Sequence, residues 1–241
     1  MSGPVRLVVT RPLEDARPLA ATLEAMGHEV LVEPMLSIRS ETGWSADTRG
    51  AGSVAFTSAN GVRAWLAVDG ARDLTAWCVG PATAAAARAA GFGTVHEAGG
   101  DVASLAAHII EQAQPDAGTV LHVAGKHRAG DLAGRLGQAG FKVTSLHAYT
   151  AVPADRASST LLGWAKDAQN RAFGVLVFSP RTARLFVDVL TQSGLADDLP
   201  HGRFFCLSDG VGDPLRAAGA RSIAIASRPT EQALLALLPT P

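Results

Sequence analysis

Short runs rich in Val, Leu, Ile and Phe recur along the chain, separated by Ala-rich stretches whose apolar positions fall at helical spacing. Such alternation is the pattern of a parallel sheet joined by crossover helices. It predicts strands at Val5–Thr10, Val54–Thr57, Trp77–Gly80, Thr94–Glu97, Thr119–Ala124, Gly174–Ser179, Phe204–Ser208 and Ser222–Ala226. The first helix places Ala16, Leu19, Ala20, Leu23 and Met26 on one face, and Gly27 follows as a left-handed residue that ends it. A strand restarts at Val30.

The pattern repeats itself. Leu7-Val-Val-Thr, a helix, Gly27 and Val30-Leu-Val resemble Leu121-His-Val-Ala, a helix, Gly140 and Val143-Thr-Ser. A longer block, opening on Val54-Ala-Phe-Thr-Ser and running through Cys78-Val-Gly and Arg88-Ala-Ala-Gly, matches Val175-Leu-Val-Phe-Ser, Cys206-Leu-Ser and Arg216-Ala-Ala-Gly. The order is A–B–A′–B′, with A about 30 residues and B about 55, so that A alone is too short to cover both faces of a sheet. Each A must join a B, either in tandem or interlaced, with A′ in a central domain and A sharing a domain with B′. The repeat leaves both pairings open. Val30–Ile38 and Lys142–Val152, both long, β-rich and Pro-ended, resemble two paired connecting strands and weigh toward the second.

Composition narrows the function classes. With 47% hydrophobic and 18% charged residues, the 241-residue chain can bury a core, and two modest domains are the expected division. A formal net charge of −1 without a Lys/Arg run argues against nucleic acid. The N-terminal sequence lacks a basic segment followed by a long apolar stretch, so a cytoplasmic protein without membrane contact is expected. Cys78 and Cys206, far apart and outside any CxxC, predict buried thiols rather than a disulfide or zinc site.

In open parallel sheets, ligands bind outside the carboxyl ends of the strands, where backbone N–H groups and helix N-termini are presented. The segments that follow the predicted strands hold Thr10 and Arg11; Thr57, Ser58 and Asn60; Gly80 and Thr83; Ser179, Arg181 and Thr182; Ser208; and Thr230. Any one of these hydroxyls is more simply a helix N-cap. Their concentration at one edge of two similar units fits a sizeable anionic ligand. Tyr149, the single tyrosine, ends the run that leaves A′ and carries a phenol able to donate a proton. Gly210-Val-Gly212 lacks the third glycine of a dinucleotide loop, and Gly125-Lys126 is followed by His127 where a phosphate loop needs Ser or Thr. His122, His127 and His147 lack the spacing of a metal site, so neither cofactor nor metal is expected.

Taken in order and spacing, Thr10-Arg-Pro, Phe56-Thr-Ser-Ala-Asn-Gly-Val, Val79-Gly-Pro-Ala-Thr-Ala, the Gly140–Tyr149 strand, Phe178-Ser-Pro and Pro229-Thr resemble the uroporphyrinogen-III synthase family over nearly the whole chain. The resemblance implies two flavodoxin-like α/β domains joined by a two-stranded linker, hence the interlaced pairing. It implies a first domain at 1–36 plus 153–241, a second at 39–149, crossings at 37–38 and 150–152, and a large cleft between domains. The implied substrate is hydroxymethylbilane, a linear tetrapyrrole polycarboxylate, which is cyclised with loss of water and inversion of ring D through an azafulvene and a spiro intermediate. No cofactor is implied, and positioning is the main catalytic contribution. Tyr149 is the implied proton donor, with Ser58 and Thr83 as binding or assisting hydroxyls. A monomer is implied, with transient contact to the preceding pathway enzyme as the one protein partner to consider.

The sequence departs from the family in B′. Where an Ile-Gly-x-x-Thr-Ala pattern is usual it has Leu207-Ser-Asp-Gly-Val-Gly, so that Val211 stands in place of the threonine. Two rival readings follow: a non-catalytic protein closing on a polyanion, and a two-domain sugar-phosphate enzyme, the latter disfavoured because no acid/base pair accompanies a phosphate loop.

Overall fold

The structure, a computed structural model, describes residues 5–126, 130–167 and 173–239, apart from the side chains of 198 and 200. Its elements alternate as the hydrophobic pattern predicts. The first pass runs β1 (Arg6–Val9), α1 (Leu13–Ala25), β2 (Glu29–Val32) and β3 (Leu36–Ser40). The second comprises β4 (Ala51–Phe56), α2 (Ala59–Ala67), β5 (Thr75–Cys78), α3 (Pro81–Ala89), β6 (Val95–Glu97) and α4 (Val102–Gln112). The third is β7 (Thr119–Gly125), α5 (Leu132–Gln138) and β8 (Val143–Pro153). The last contains α6 (Ser159–Lys166), β9 (Phe173–Val177), α7 (Pro180–Gln192), β10 (Arg203–Cys206), α8 (Asp209–Ala217), β11 (Ser222–Ile225) and α9 (Glu231–Leu235).

The chain divides into two compact units, Met1–Ser37 with Val152–Pro241, and Ile38–Ala151. In the first unit, all neighbouring strands run parallel in the order β2-β1-β9-β10-β11. In the second, β8-β7-β4-β5-β6 are likewise parallel, with β3 added beside β8. Each five-strand order reverses direction once, between β1 and β9 or between β7 and β4, as flavodoxin-like sheets do. Sheet order thus joins A with B′ and A′ with B.

Pleating distributes the core to both faces of each sheet. In the first unit, Leu7 and Val9 pack with Leu19 and Leu23 of α1, whereas the intervening Val8 packs with Phe186 of α7 and Leu215 of α8. In the second, Val54 and Phe56 face Trp65 of α2, and Ala55 faces Leu105 and Ile109 of α4. Gly27, at φ +90°, makes the left-handed exit from α1 that the sequence predicts.

Two expectations are corrected. Met26 does not belong to the buried stripe of the first helix: it is the C-cap residue, 40% exposed, because the helix ends one residue earlier. Val30–Ile38 is not one strand. Pro34 has no N–H to give to a ladder, and β2 stops at Val32; the backbone N–H groups of Glu33 and Met35 then bond to the carbonyls of Val9 and Thr10 before β3 begins. No helix among the described residues is long and apolar enough to cross a membrane.

Candidate active site

Three strand-to-helix junctions, those that open α2, α3 and α4, stand at the carboxyl edge of the second unit. Ser58 is extended and caps α2, its hydroxyl accepting from the Asn60 N–H at 3.1 Å. Gly80 precedes Pro81, which opens α3 at the position where a missing N–H costs nothing. Asp101 caps α4 in a reciprocal box with Ser104, accepting from the Ser104 N–H at 2.7 Å. These helix N-termini carry partial positive charge and unsatisfied N–H groups toward the edge. Gly61 allows α2 to lie close on the sheet: a Cβ there would sit 2.9 Å from the Val123 carbonyl oxygen.

A cavity of about 390 Å³ opens at this edge, lined by Thr57, Ser58, Asp101, His122, Gly125 and Tyr149 among others. Tyr149 lies on β8 beside Gly125 of β7, where the ladder shifts register. Its ring covers the Gly125 backbone, and a Cβ on residue 125 would meet the ring Cε2 at 2.8 Å. Burial pushes the phenol up from its ordinary pKa of 10.0, while hydrogen bonding to the Ser58 side chain and the Gly125 backbone pulls the other way. The net shift is upward, so near neutral pH the group carries its proton beside an open cavity.

The remaining candidates in this unit are not among the residues that line the cavity. Asn60 is half-buried and its Oδ1 accepts from Arg63. Thr83 is 4% exposed, on the buried face of α3. Gly80 is buried, and its Cβ position would lie 3.2 Å from the Gly100 Cα.

At the carboxyl edge of the first unit most of the candidates are engaged with the protein itself, while Ser208 is exposed. Thr10 is fully buried and its hydroxyl donates to the Leu176 carbonyl at 2.7 Å. The Arg11 guanidinium stacks on Phe178, 4.6 Å from the ring centre, and donates to Glu231 at 2.6 Å. Ser179 caps α7 through the Thr182 N–H, and the two hydroxyls lie 2.8 Å apart. Thr230 caps α9 through the Ala233 N–H, whereas Ser208 precedes α8 without a side-chain cap bond. Arg181 is half-buried at the start of α7.

Sequence reasoning missed Asp101 and the part played by His122. Asp101 follows a Gly-Gly pair at a junction like the others, and its acidic side chain conceals it in a search for anion binders. The Asp101 carboxyl is held below the usual range, first by the Ser104 N–H and then by the Ser104 hydroxyl. His122 is legible as a polar interruption of an otherwise apolar strand, but spacing alone raises only the question of a metal ligand. His127 lies outside the described residues, and among those described no group of three His, Cys, Asp or Glu side chains converges as a metal site.

A family model described as HEM4, uroporphyrinogen-III synthase HemD, matches residues 17–236. By fold the chain is similar to uroporphyrinogen-III synthetase from Helicobacter pylori 26695, with a TM-score of 0.64 at 14% identity over 97% of both chains. It is also similar to a mutant uroporphyrinogen III synthase from the extremely thermophilic bacterium Thermus thermophilus, with a TM-score of 0.52 at 16% identity over 96% of both chains. No curated protein sequence matches significantly. At such identities the structural likeness speaks for the fold, and the family match speaks for the lineage.

Proposed function

Because the chain belongs to the uroporphyrinogen-III synthase family, enzymes of heme biosynthesis acting on a tetrapyrrole, we propose that it cyclises hydroxymethylbilane as a cofactor-independent carbon–oxygen lyase, with Tyr149 as the proton donor. The observation that carries this reading is the protonated Tyr149 phenol on the wall of a cavity at the carboxyl edge of a parallel sheet. A site of about 390 Å³ lies near the lower end of small-molecule sites, roughly 300–1,000 Å³. It accommodates one end of a linear tetrapyrrole rather than its whole length.

Tyr149 gives its proton to the leaving hydroxyl of ring A. The carbon–oxygen bond breaks as the pyrrole nitrogen releases electron density, yielding water and a cationic azafulvene that keeps its N–H. The substituted carbon of ring D attacks, the spiro intermediate fragments and re-closes, and the proton lost as the last pyrrole regains aromaticity returns to the phenolate. Tyr149 ends as it began. The pyrroles supply the electrons, so the chain's task is to hold the reacting carbons in place and to give and recover one proton. Ser58 and the Gly125 N–H stabilise the phenolate while it lasts, as their opposition to the upward shift implies. The N-termini of α2 and α3 offer donors to substrate carboxylates, whereas that of α4 already holds the Asp101 carboxylate.

Incubation of the purified protein with hydroxymethylbilane, followed by oxidation and chromatography, tests the reading. The type III ring is expected in preference to the type I ring that forms spontaneously. Type I alone would end it.

A further inference from the structure

His122 stands in the middle of β7, between Leu121 and Val123, and is 3% exposed. Its strand is paired on both sides, opposite Ala55 of β4 and Ser145 of β8, so the ring is fixed by the sheet rather than by a loop. Its Nε2 lies 3.4 Å from the Thr57 Oγ1, and both side chains line the cavity that Tyr149 lines. A buried imidazole in a central strand is costly unless its nitrogens are used. One of them, Nε2, faces the Thr57 hydroxyl.

We propose that His122 is a positioning residue: it holds the Thr57 hydroxyl in one orientation, so that Thr57 and Tyr149 give the cavity two fixed polar points rather than one. The inference rests on the reading of this cavity as the tetrapyrrole site. A single fixed hydrogen-bonding group lets a planar ring pivot about it, whereas two groups set its orientation. Orientation of the end ring decides which carbon reacts, and so separates the type III product from the type I product. The hydrogen bond between Thr57 and His122 is long, at 3.4 Å, the kind of pair that a bound substrate can tighten. His122 acts through Thr57, and Thr57 meets the substrate.

The test compares His122→Phe, His122→Gln, Thr57→Val and the double variant His122→Phe/Thr57→Val. His122→Phe and Thr57→Val should each lower kcat about tenfold with little change in KM, the size of one lost oriented hydrogen bond, and each should raise the type I fraction. The double variant should lose no more than either single variant, because the two residues act as a unit. His122→Gln, which keeps a polar atom near the position of Nε2, should stay within about threefold of the parent. Losses that multiply in the double variant would overturn the proposal, as would a parental product ratio in His122→Phe or Thr57→Val. Should His122→Phe fail to fold, Thr57→Val and His122→Gln still decide. An independent arm records the His122 imidazole nitrogens by 15N NMR without substrate: Thr57→Val should move the Nε2 signal, and an unmoved signal would sink the pairing. If the parent protein makes only type I ring, the functional reading fails while this arm still judges the contact.

Discussion

The two units repeat one another in their sheets and differ at their carboxyl edges. Inside, correspondence is close: Cys78 and Cys206 end equivalent strands, both are buried, and burial pushes each thiol from its ordinary 9.0 to about 12. At the edge the second unit carries a cavity with a phenol, a serine, a threonine and an imidazole on its wall. The first unit has tied up its matching groups: Thr10 on a backbone carbonyl, Arg11 on Glu231, Ser179 on Thr182. Packing constrains a core residue from all sides, so duplicated cores stay alike, whereas an edge loop is free to change its chemistry.

If the chemical step belongs to the second unit, as proposed, the largest effect should follow from removing its phenol. Tyr149→Phe keeps the ring over Gly125 and loses the proton donor. The expected result is a fall in kcat of about 10²-fold or more, the usual contribution of a general acid, with an unchanged thermal midpoint. An unchanged rate in a folded variant would remove Tyr149 from the chemistry and return the comparison to a matter of shape.

A smaller effect separates Thr83 from Val211. Both are the third residue of their helices and both are buried, at 4% and 2% exposure. Val211 packs in an apolar core cluster with Cys206 and Leu215. Val211→Thr should therefore cost about 1–2 kcal/mol of stability, the penalty of an uncompensated hydroxyl, seen as a lowered denaturant midpoint with no gain in rate. Thr83→Val should keep the midpoint and lose about three- to tenfold in kcat/KM, if its hydroxyl serves the site through the start of α3. A gain in rate for Val211→Thr would mean that the first unit's edge had lost a working hydroxyl rather than settled into another role.

Much of the fold was legible because strand and helix periods in this chain are clean and the repeat doubles each signal. Gly27 and Pro34 both act through backbone geometry, yet only the glycine's effect is legible from its own position in the sequence. Its left-handed turn is local, whereas the break at Pro34 depends on Glu33 and Met35 finding partners on β1 and just beyond it. The edge was legible as a set of hydroxyls, since capping and ligand binding ask for the same residue types at the same junctions. Which hydroxyls face open space was not, because Thr10 and Thr57 occupy equivalent strand ends. One is fully buried against Leu176, and the other lines a cavity. His122 escaped for a related reason: its partner, Thr57, lies at the end of a neighbouring strand, and sequence spacing carries no trace of that contact.

Arg11 offers the finest test of the difference between the two edges. Its guanidinium is held flat on Phe178 and bonded to Glu231, which opens α9, with side-chain exposures of 25% and 48%. If Arg11 binds a substrate carboxylate, as its sequence position suggests, Glu231 would compete with the substrate for this arginine. Exposed pairs of this kind are worth about 0.2–1 kcal/mol, and stacking keeps the guanidinium in place when its partner leaves. Glu231→Gln should therefore lower KM by about two- to fivefold at unchanged kcat, the range that such a pair allows. In an Arg11→Gln background the same change should have no effect on KM. Steady-state kinetics at low ionic strength, where exposed charges are least screened, would resolve it. A KM indifferent to Glu231 in both backgrounds would leave Arg11 as a clamp between the β1–α1 turn and α9, and the first unit's edge without a charged hold on the substrate at this position.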